Sequence, residues 1–465
     1  MKKLVRKILW LALLAACLFA PAIEAQKKKD RPLAPPNIVI LLADDLGYGD
    51  LGSYGHPRIK TPYLDILAKE GLRLTSYYSG APVCSPSRAA MMTGRIPQRD
   101  GIGDWIPENS GIFLPRQTVT LAKELQRAGY ATAMTGKWHL NSKLDGSEPT
   151  PGEHGFQHWF ATQNNALPTH FNPVNFFRNG QLVGPLKGYS SSLIVDEAIE
   201  WLKQRKAEQP FFLYVPFHAP HEQVATAGTF FLEYHDVKNV DEAQYYGNVA
   251  QLDYEVGRLL KTLDELQLAP NTLVFFASDN GPETLNRYKT ATRSYGTAGQ
   301  LNGKKLRGMK LHLYEGGIRV PAIVRWPAVI KPGRVSDTPI SAMDLMPTLR
   351  ALAGLSSPEL QLDGEAITSL LRDEKYLRQR PIYWQYDQAI NSKTDKFLPK
   401  MALREGDFKL LVSGDFKTVE LYNVKLDPAE TTDLAARELP RVRDMVEKVK
   451  ITNSQIEALK YAPKN

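Results

Sequence analysis

Ile38-Val39-Ile40-Leu41-Leu42-Ala43-Asp44-Asp45 is the stretch whose reading decides the fold. Five consecutive large aliphatic side chains show no alternation with polar ones. Such a run predicts a fully buried strand, of the kind found inside parallel sheets. It ends abruptly on two adjacent carboxylates.

Working outward, the pattern repeats. Thr61-Pro62 predicts a helix start, with Thr61 as N-cap and Pro62 in the first turn, running to Glu70. Further helices are expected over 118–128, 191–206 and 241–266. Between and after them fall apolar strands over 131–135, 210–215 and 273–277, the last running into Ser278-Asp279-Asn280-Gly281. Strands alternating with helices predict an α/β fold, a large, mostly parallel mixed sheet sandwiched by helices. Beyond about residue 375 the pattern breaks into short segments (381–386, 402–404, 409–412, 420–422) and a final helix. These predict a small C-terminal antiparallel-sheet subdomain. The expected division is a targeting segment over 1–25, a catalytic α/β domain over 33–372 and the subdomain over 373–465.

Composition narrows the classes. The 465 residues, 43% hydrophobic, are ample for a core. Two cysteines, Cys17 and Cys84, exclude a disulfide framework and an all-cysteine zinc site. The net charge of +8 is uneven. Residues 1–31 hold eight basic side chains against Glu24 and Asp30, which leaves about +2 for the remainder. A polyanion-binding surface is not indicated, and nucleic acid is not an expected partner. The same terminus has a basic start (Lys2 to Lys7) and an apolar run to Ile23, broken by Pro21 and short for a membrane span. It reads as an export signal, with Ala20-Pro21-Ala22 and Ile23-Glu24-Ala25 as cleavage sites. Leu14-Ala15-Ala16-Cys17 also has the form of a lipobox, in which Cys17 would carry a lipid anchor. The expected location is periplasmic or secreted, with no transmembrane span after processing.

The chemistry-bearing residues cluster at strand ends, where ligands bind in open α/β sheets. Asp44, Asp45 and Asp279 with Asn280 offer oxygen donors only, suited to a hard cation. Taken singly, each would serve equally as a turn or a helix cap. Cys84-Ser85-Pro86-Ser87-Arg88 precedes a helical run, and a cysteine at a helix start beside an arginine is expected to be electropositive and reactive. Lys137 and His139 follow a strand and would point to one side if extended. His218 and His221 flank Ala219-Pro220, a turn that can present both inward. Lys310 precedes Tyr314-Glu315-Gly316-Gly317.

In order and spacing these motifs resemble the type I, formylglycine-dependent sulfatases of the alkaline phosphatase superfamily. Cys84-Ser85-Pro86-Ser87-Arg88 resembles their Cys-x-Pro-Ser-Arg signature, and Gly136-Lys137-Trp138-His139-Leu140 their second. The resemblance covers roughly residues 36 to 425. It implies that Cys84 is oxidised to formylglycine by a separate maturation enzyme. It implies one Ca²⁺ held by Asp44, Asp45, Asp279, Asn280 and residue 84. It also implies a sulfate surrounded by Arg88, Lys137, His139, His221 and Lys310, with His218 beside it. The implied substrate is a sulfated carbohydrate, with aryl sulfates as test substrates. Asn141 departs from the glycine common at that point. The rival expectations are a phosphomonoester or phosphonate hydrolase on the same scaffold, and a non-catalytic binder of sulfated glycans. Residues 155–180 and Lys304-Lys305-Leu306-Arg307 are candidates for a sugar cleft, or equally for ordinary loop packing.

Overall fold

The structure is a computed structural model that describes residues 34–284, 293–356, 360–386 and 398–460. The targeting segment read over 1–25 lies outside the described residues. A ten-stranded sheet forms the frame. At its centre are five parallel strands in the spatial order Thr272–Ser278, Asn37–Ala43, Phe211–Pro216, Ala131–Lys137 and His158–Thr162. Antiparallel strands extend both edges, among them Ala322–Arg325 beside Thr272–Ser278. The sheet is therefore mixed and mostly parallel at its core, as expected.

The run that opened the argument sits in the middle of this sheet, and alternation explains why it needs no polar residue. Val39, Leu41 and Ala43 face one core with Val249, Leu252 and Val256 of the long helix Val240–Glu265. Ile38, Ile40 and Leu42 face the other core with Ala89 and Met92 of the helix Cys84–Thr93. Both faces are covered, so each large side chain here contributes roughly 1.5–3 kcal/mol of burial.

Two helix starts differ from the sequence reading. The helix Pro62–Glu70 does begin after Thr61, but Thr61 does not cap it with its side chain. Its hydroxyl accepts from the Gly52 amide (2.9 Å) and donates to Asp65 (3.1 Å). The cap comes from Asp253 of the long helix, whose carboxylate takes the amides of Tyr63 (3.1 Å) and Leu64 (2.7 Å). A tertiary contact has displaced a local one. The helix expected over 118–128 is shorter, Leu121–Arg127, capped by Thr120 on the Lys123 amide.

The four short C-terminal strands pair antiparallel in sequence order: Ile382–Gln385, Met401–Glu405, Phe408–Val412 and Val419–Asn423. The helix Leu439–Lys460 follows. This sheet shares a buried cluster with the body, where Trp384 and Leu410 meet Val83, Ala90, Leu313 and Ile318. Lys409 is fully buried and bridges Glu315 (3.0 Å) and Glu430 (2.9 Å). The C-terminal sheet thus backs the two segments, 83–90 and 311–318, that flank the site. No helix among the described residues is long and apolar enough to cross a membrane.

Candidate active site

The parallel strands end side by side. Ala43 hands over to Asp44-Asp45, Ser278 to Asp279-Asn280, Lys137 to Trp138-His139, and Pro216 to the turn 217–221. The helix Cys84–Thr93 starts at this edge, with Cys84 as its first residue. These five segments, with the loop that carries Lys310, bring together Asp44, Asp45, Cys84, Arg88, Lys137, His139, His221, Asp279, Asn280 and Lys310. A cavity of about 310 Å³ opens above them, lined in part by Cys84, Lys137, His139, His221 and Lys310.

The floor is a set of buried ion pairs. Lys137 Nζ donates to Asp44 at 2.6 Å, and Lys310 Nζ donates to Asp45 at 2.6 Å. Arg88 donates through two nitrogens to Asp279 Oδ2, at 2.9 and 2.7 Å, and through a third to the Lys137 carbonyl at 2.8 Å. Arg88, Lys137, Asp44 and Asp279 are almost wholly shielded from solvent. Burial pushes the Asp44 and Asp45 carboxyls up. The cations outweigh it, chiefly Lys137 for Asp44 and Lys310 for Asp45, and hold both below the ordinary carboxylate range. Burial and the neighbouring Asp44 charge push Asp279 the other way, to about 7. Three acids in one dry site therefore cannot all ionise freely without further positive charge.

The site can hold a cation, and its carboxylates and the Asn280 oxygen suit a hard one. One ligand atom each from Asp44, Asp45, Cys84 and His221 lies within 4.8 Å of the others. Asn280 donates its amide nitrogen to Asp45 (2.7 Å), while its side-chain oxygen is buried with no partner. A buried acceptor without a donor is costly unless something positive meets it.

Cys84 departs from the expected reactive thiolate. Burial, followed by the Asp44 charge, pushes its thiol far above the ordinary range. The thiol donates to Asp44 at 3.4 Å. The arginine that was to activate it is engaged with Asp279 instead. As a cysteine, residue 84 is an inert group at the centre of the site.

The histidines separate by geometry. The residues around His139 are not extended, because His139 itself is left-handed at φ 55°. Its Nε2 lies 3.1 Å from the Ile106 carbonyl, which can only accept. Nε2 therefore carries the hydrogen, and the buried, unpartnered Nδ1 is a bare base. Burial, with Lys137 and Arg88, holds this ring well below the ordinary histidine range. His221 is held at about 4 by burial and Lys310. Its Nδ1 donates to the Glu222 carbonyl, leaving Nε2 to accept from Lys310 at 3.3 Å. His218 does not line the cavity. It is fully buried, paired to the Thr162 hydroxyl (2.7 Å) and packed on His170 at 5.1 Å, so it lies behind the site and buttresses it.

The Tyr314-Glu315-Gly316-Gly317 motif holds none of these groups but mounts Lys310. A Cβ on Gly316 would lie 2.4 Å from the Gly308 carbonyl, and one on Gly317 2.0 Å from the His312 carbonyl. Only glycine lets the chain fold back this closely and aim Lys310 inward. Of the cleft candidates over 155–180 and 304–307, Asn164 and Asn165 line the cavity, while others pack or pair elsewhere. Phe176 stacks on Phe160, Arg178 pairs with Glu197, and Arg307 stacks on Tyr314. Sequence reasoning missed Trp105 and Glu222, which also line the cavity. Only the adjacency of Glu222 to His221 could have hinted at either of them.

Comparison with known proteins agrees with this geometry. A family model described as sulfatase matches residues 36–355. A second, described as N-sulphoglucosamine sulphohydrolase, C-terminal, matches residues 309–457. Human N-acetylgalactosamine-6-sulfatase is 35% identical over 388 residues, covering 77% of this chain and 70% of the relative. Human arylsulfatase A is 35% identical over 443 residues, covering 88% and 81%. Among solved structures, Ps i-CgsB in complex with k-i-k-neocarrahexaose superposes with a TM-score of 0.79 at 28% identity, covering 93% of this chain and 98% of that one.

Proposed function

Since this chain belongs to the sulfatase family and is a sulfuric ester hydrolase, we propose that it removes sulfate from a sulfated carbohydrate at the site built around residue 84. The observation that carries this reading is the convergence of Lys137 and Lys310, each held by a buried carboxylate, on one small cavity with Cys84 in its wall, above the buried Arg88–Asp279 pair. A sulfate monoester is a poor electrophile, because its anionic oxygens repel a nucleophile. Fixed cations in a dry site offset that repulsion without reorganising as charge moves.

Residue 84, converted to formylglycine by a maturation enzyme, would supply an aldehyde hydrate as nucleophile in place of an unreactive thiol. A Ca²⁺ held by Asp44, Asp45, Asp279, Asn280 and residue 84 would supply the positive charge that the buried acids and the orphaned Asn280 oxygen call for. Lys137 and Lys310 then bind sulfate oxygens, and Arg88 orients Asp279 beside them. Lys310 and His221 share a hydrogen bond at the cavity wall and hold a proton for the departing alcohol. His139 offers Nδ1 as the base. Residues 33–372 would carry this chemistry, with 373–465 as the subdomain that backs it. The N-terminal signal would take the protein to the periplasm or beyond it, with a lipid on Cys17 as the anchored form.

The substrate class is supported by relatives named N-acetylgalactosamine-6-sulfatase and by a neighbour solved in complex with k-i-k-neocarrahexaose. The deciding experiment is peptide mass spectrometry of residue 84 after native expression, paired with sulfate release from 4-nitrophenyl sulfate and from sulfated sugars. Loss of the thiol mass together with sulfate release supports the reading. A peptide carrying only the intact thiol, or a preference for 4-nitrophenyl phosphate, sinks it.

A further inference from the structure

Above its charged floor the catalytic cavity changes character. The rim includes Trp105, Asn164, Asn165 and Glu222, with Val83 and Leu311. Trp105 is 42% exposed, although it borders a cavity whose floor is nearly dry. Its backbone is hydrogen-bonded on both sides. The Trp105 amide donates to Asp104 (2.8 Å), and the Tyr386 hydroxyl donates to the same carboxylate (3.1 Å). The next residue, Ile106, donates its amide to Ser85 (3.0 Å) and accepts from His139 (3.1 Å). The backbone that carries the indole is thus tied to residues that frame the chemistry. Asn165 adds a second feature. Its amide nitrogen donates to the Glu222 carbonyl (3.4 Å), while its side-chain oxygen is buried and has no partner.

We propose that Trp105 is the platform on which the sulfate-bearing sugar ring stacks, and that Asn165 accepts a hydroxyl or amide hydrogen from that ring. This rests on the sulfatase reading and assigns the groups that read the alcohol half of the ester. A sugar ring has an apolar C–H face for the indole and a rim of donors for the asparagine. A sterol or simple aryl group has nothing to give Asn165, which would then stay buried and unmet. Sites built to bond a hydroxyl discriminate strongly against ligands that lack one. A cavity of about 310 Å³ holds one ring, so recognition concentrates on the sugar that carries the sulfate.

The test is titration calorimetry in Ca²⁺ buffer on the inert Cys84→Ala chain, alone and combined with Trp105→Ala, Trp105→Phe or Asn165→Leu. The ligands are inorganic sulfate, N-acetylgalactosamine 6-sulfate and glucosamine 6-sulfate. The expected result is that Trp105→Ala weakens at least one sugar sulfate about tenfold or more and changes inorganic sulfate less than about twofold. Trp105→Phe should recover most of the loss, and Asn165→Leu should weaken the same sugar about tenfold. The proposal is overturned if Trp105→Ala weakens both ligand types alike, if it weakens neither, or if the parent binds no sugar sulfate more tightly than sulfate itself. The sulfatase reading fails on different grounds, namely a matured wild-type enzyme that releases no sulfate from any ester.

Discussion

His139 Nε2 lies 3.1 Å from the carbonyl oxygen of Ile106, and this contact decides which nitrogen of the ring is the base. The carbonyl accepts only, so Nδ1 is the nitrogen left without a hydrogen or a partner. His139→Ala is expected to lower kcat by about 10²–10⁴, the usual worth of a positioned base. KM should change far less, because the ring contributes little charge to hold the ground state. Steady-state kinetics on 4-nitrophenyl sulfate checks the split, and an unchanged kcat would remove His139 from the reaction.

Cys84→Ala should abolish sulfate release while leaving the fold intact. The native thiol contributes only a 3.4 Å contact to Asp44, and alanine removes it without burying a new polar group. Circular dichroism and thermal melting should match wild type. Substantial residual turnover would show that residue 84 is not the nucleophile.

Calcium should stabilise the protein independently of catalysis. A cation that binds only the folded state raises stability by about 2.7 kcal/mol at a hundredfold excess over Kd. Differential scanning fluorimetry should show a rise in Tm with Ca²⁺ in wild type and a much smaller one in Asp45→Ala. Equal rises in both would place the ion elsewhere.

Lys409→Met should be among the most destabilising single changes outside the site. It removes the cation paired with Glu430 and, among the described residues, one of two paired with Glu315, both buried. Breaking a buried pair typically costs about 3–5 kcal/mol. Urea unfolding measures the loss, and a change below about 1 kcal/mol would show that the buried glutamates are relieved in some other way.

Acid sensitivity should trace in part to Glu197. Burial pushes this carboxyl up, but bonds from Arg178 and His158 outweigh it and hold it at about 2, below its ordinary 4.5. A depressed carboxyl stabilises the fold fully above its unfolded value and loses that contribution as pH falls from about 4.5 toward 2. Glu197→Gln should therefore lower stability at pH 6 and flatten its decline below pH 4.5. Parallel decline in both proteins would discount the pair, consistent with the exposure of Arg178.

Much of this site was legible one segment at a time. Asp44, Asp45, Asp279 and Asn280 follow apolar runs, and an apolar run that stops on carboxylates marks a strand end whatever lies around it. Cys84 and Arg88 stand four apart at a helix start, so one turn of helix brings them to one face. What was misread depended on partners distant in sequence. Thr61 was a sound cap by local rules, yet Asp253, far along the chain, displaced it. Cys84 looked activated because Arg88 was near, until the fold gave that arginine to Asp279.

The sequence by itself determined the architecture and the inventory of reacting groups, because burial pattern and short-range spacing are properties of neighbouring residues. Only the tertiary structure decided who pairs with whom. It set Lys137 on Asp44 and Lys310 on Asp45, sent His218 behind the site and His221 into it, and put Trp105 at its mouth. Those outcomes turn on distances of a few ångströms between residues tens to hundreds of positions apart. No periodicity records them, because they arise only when the strand ends are assembled at one edge of the sheet.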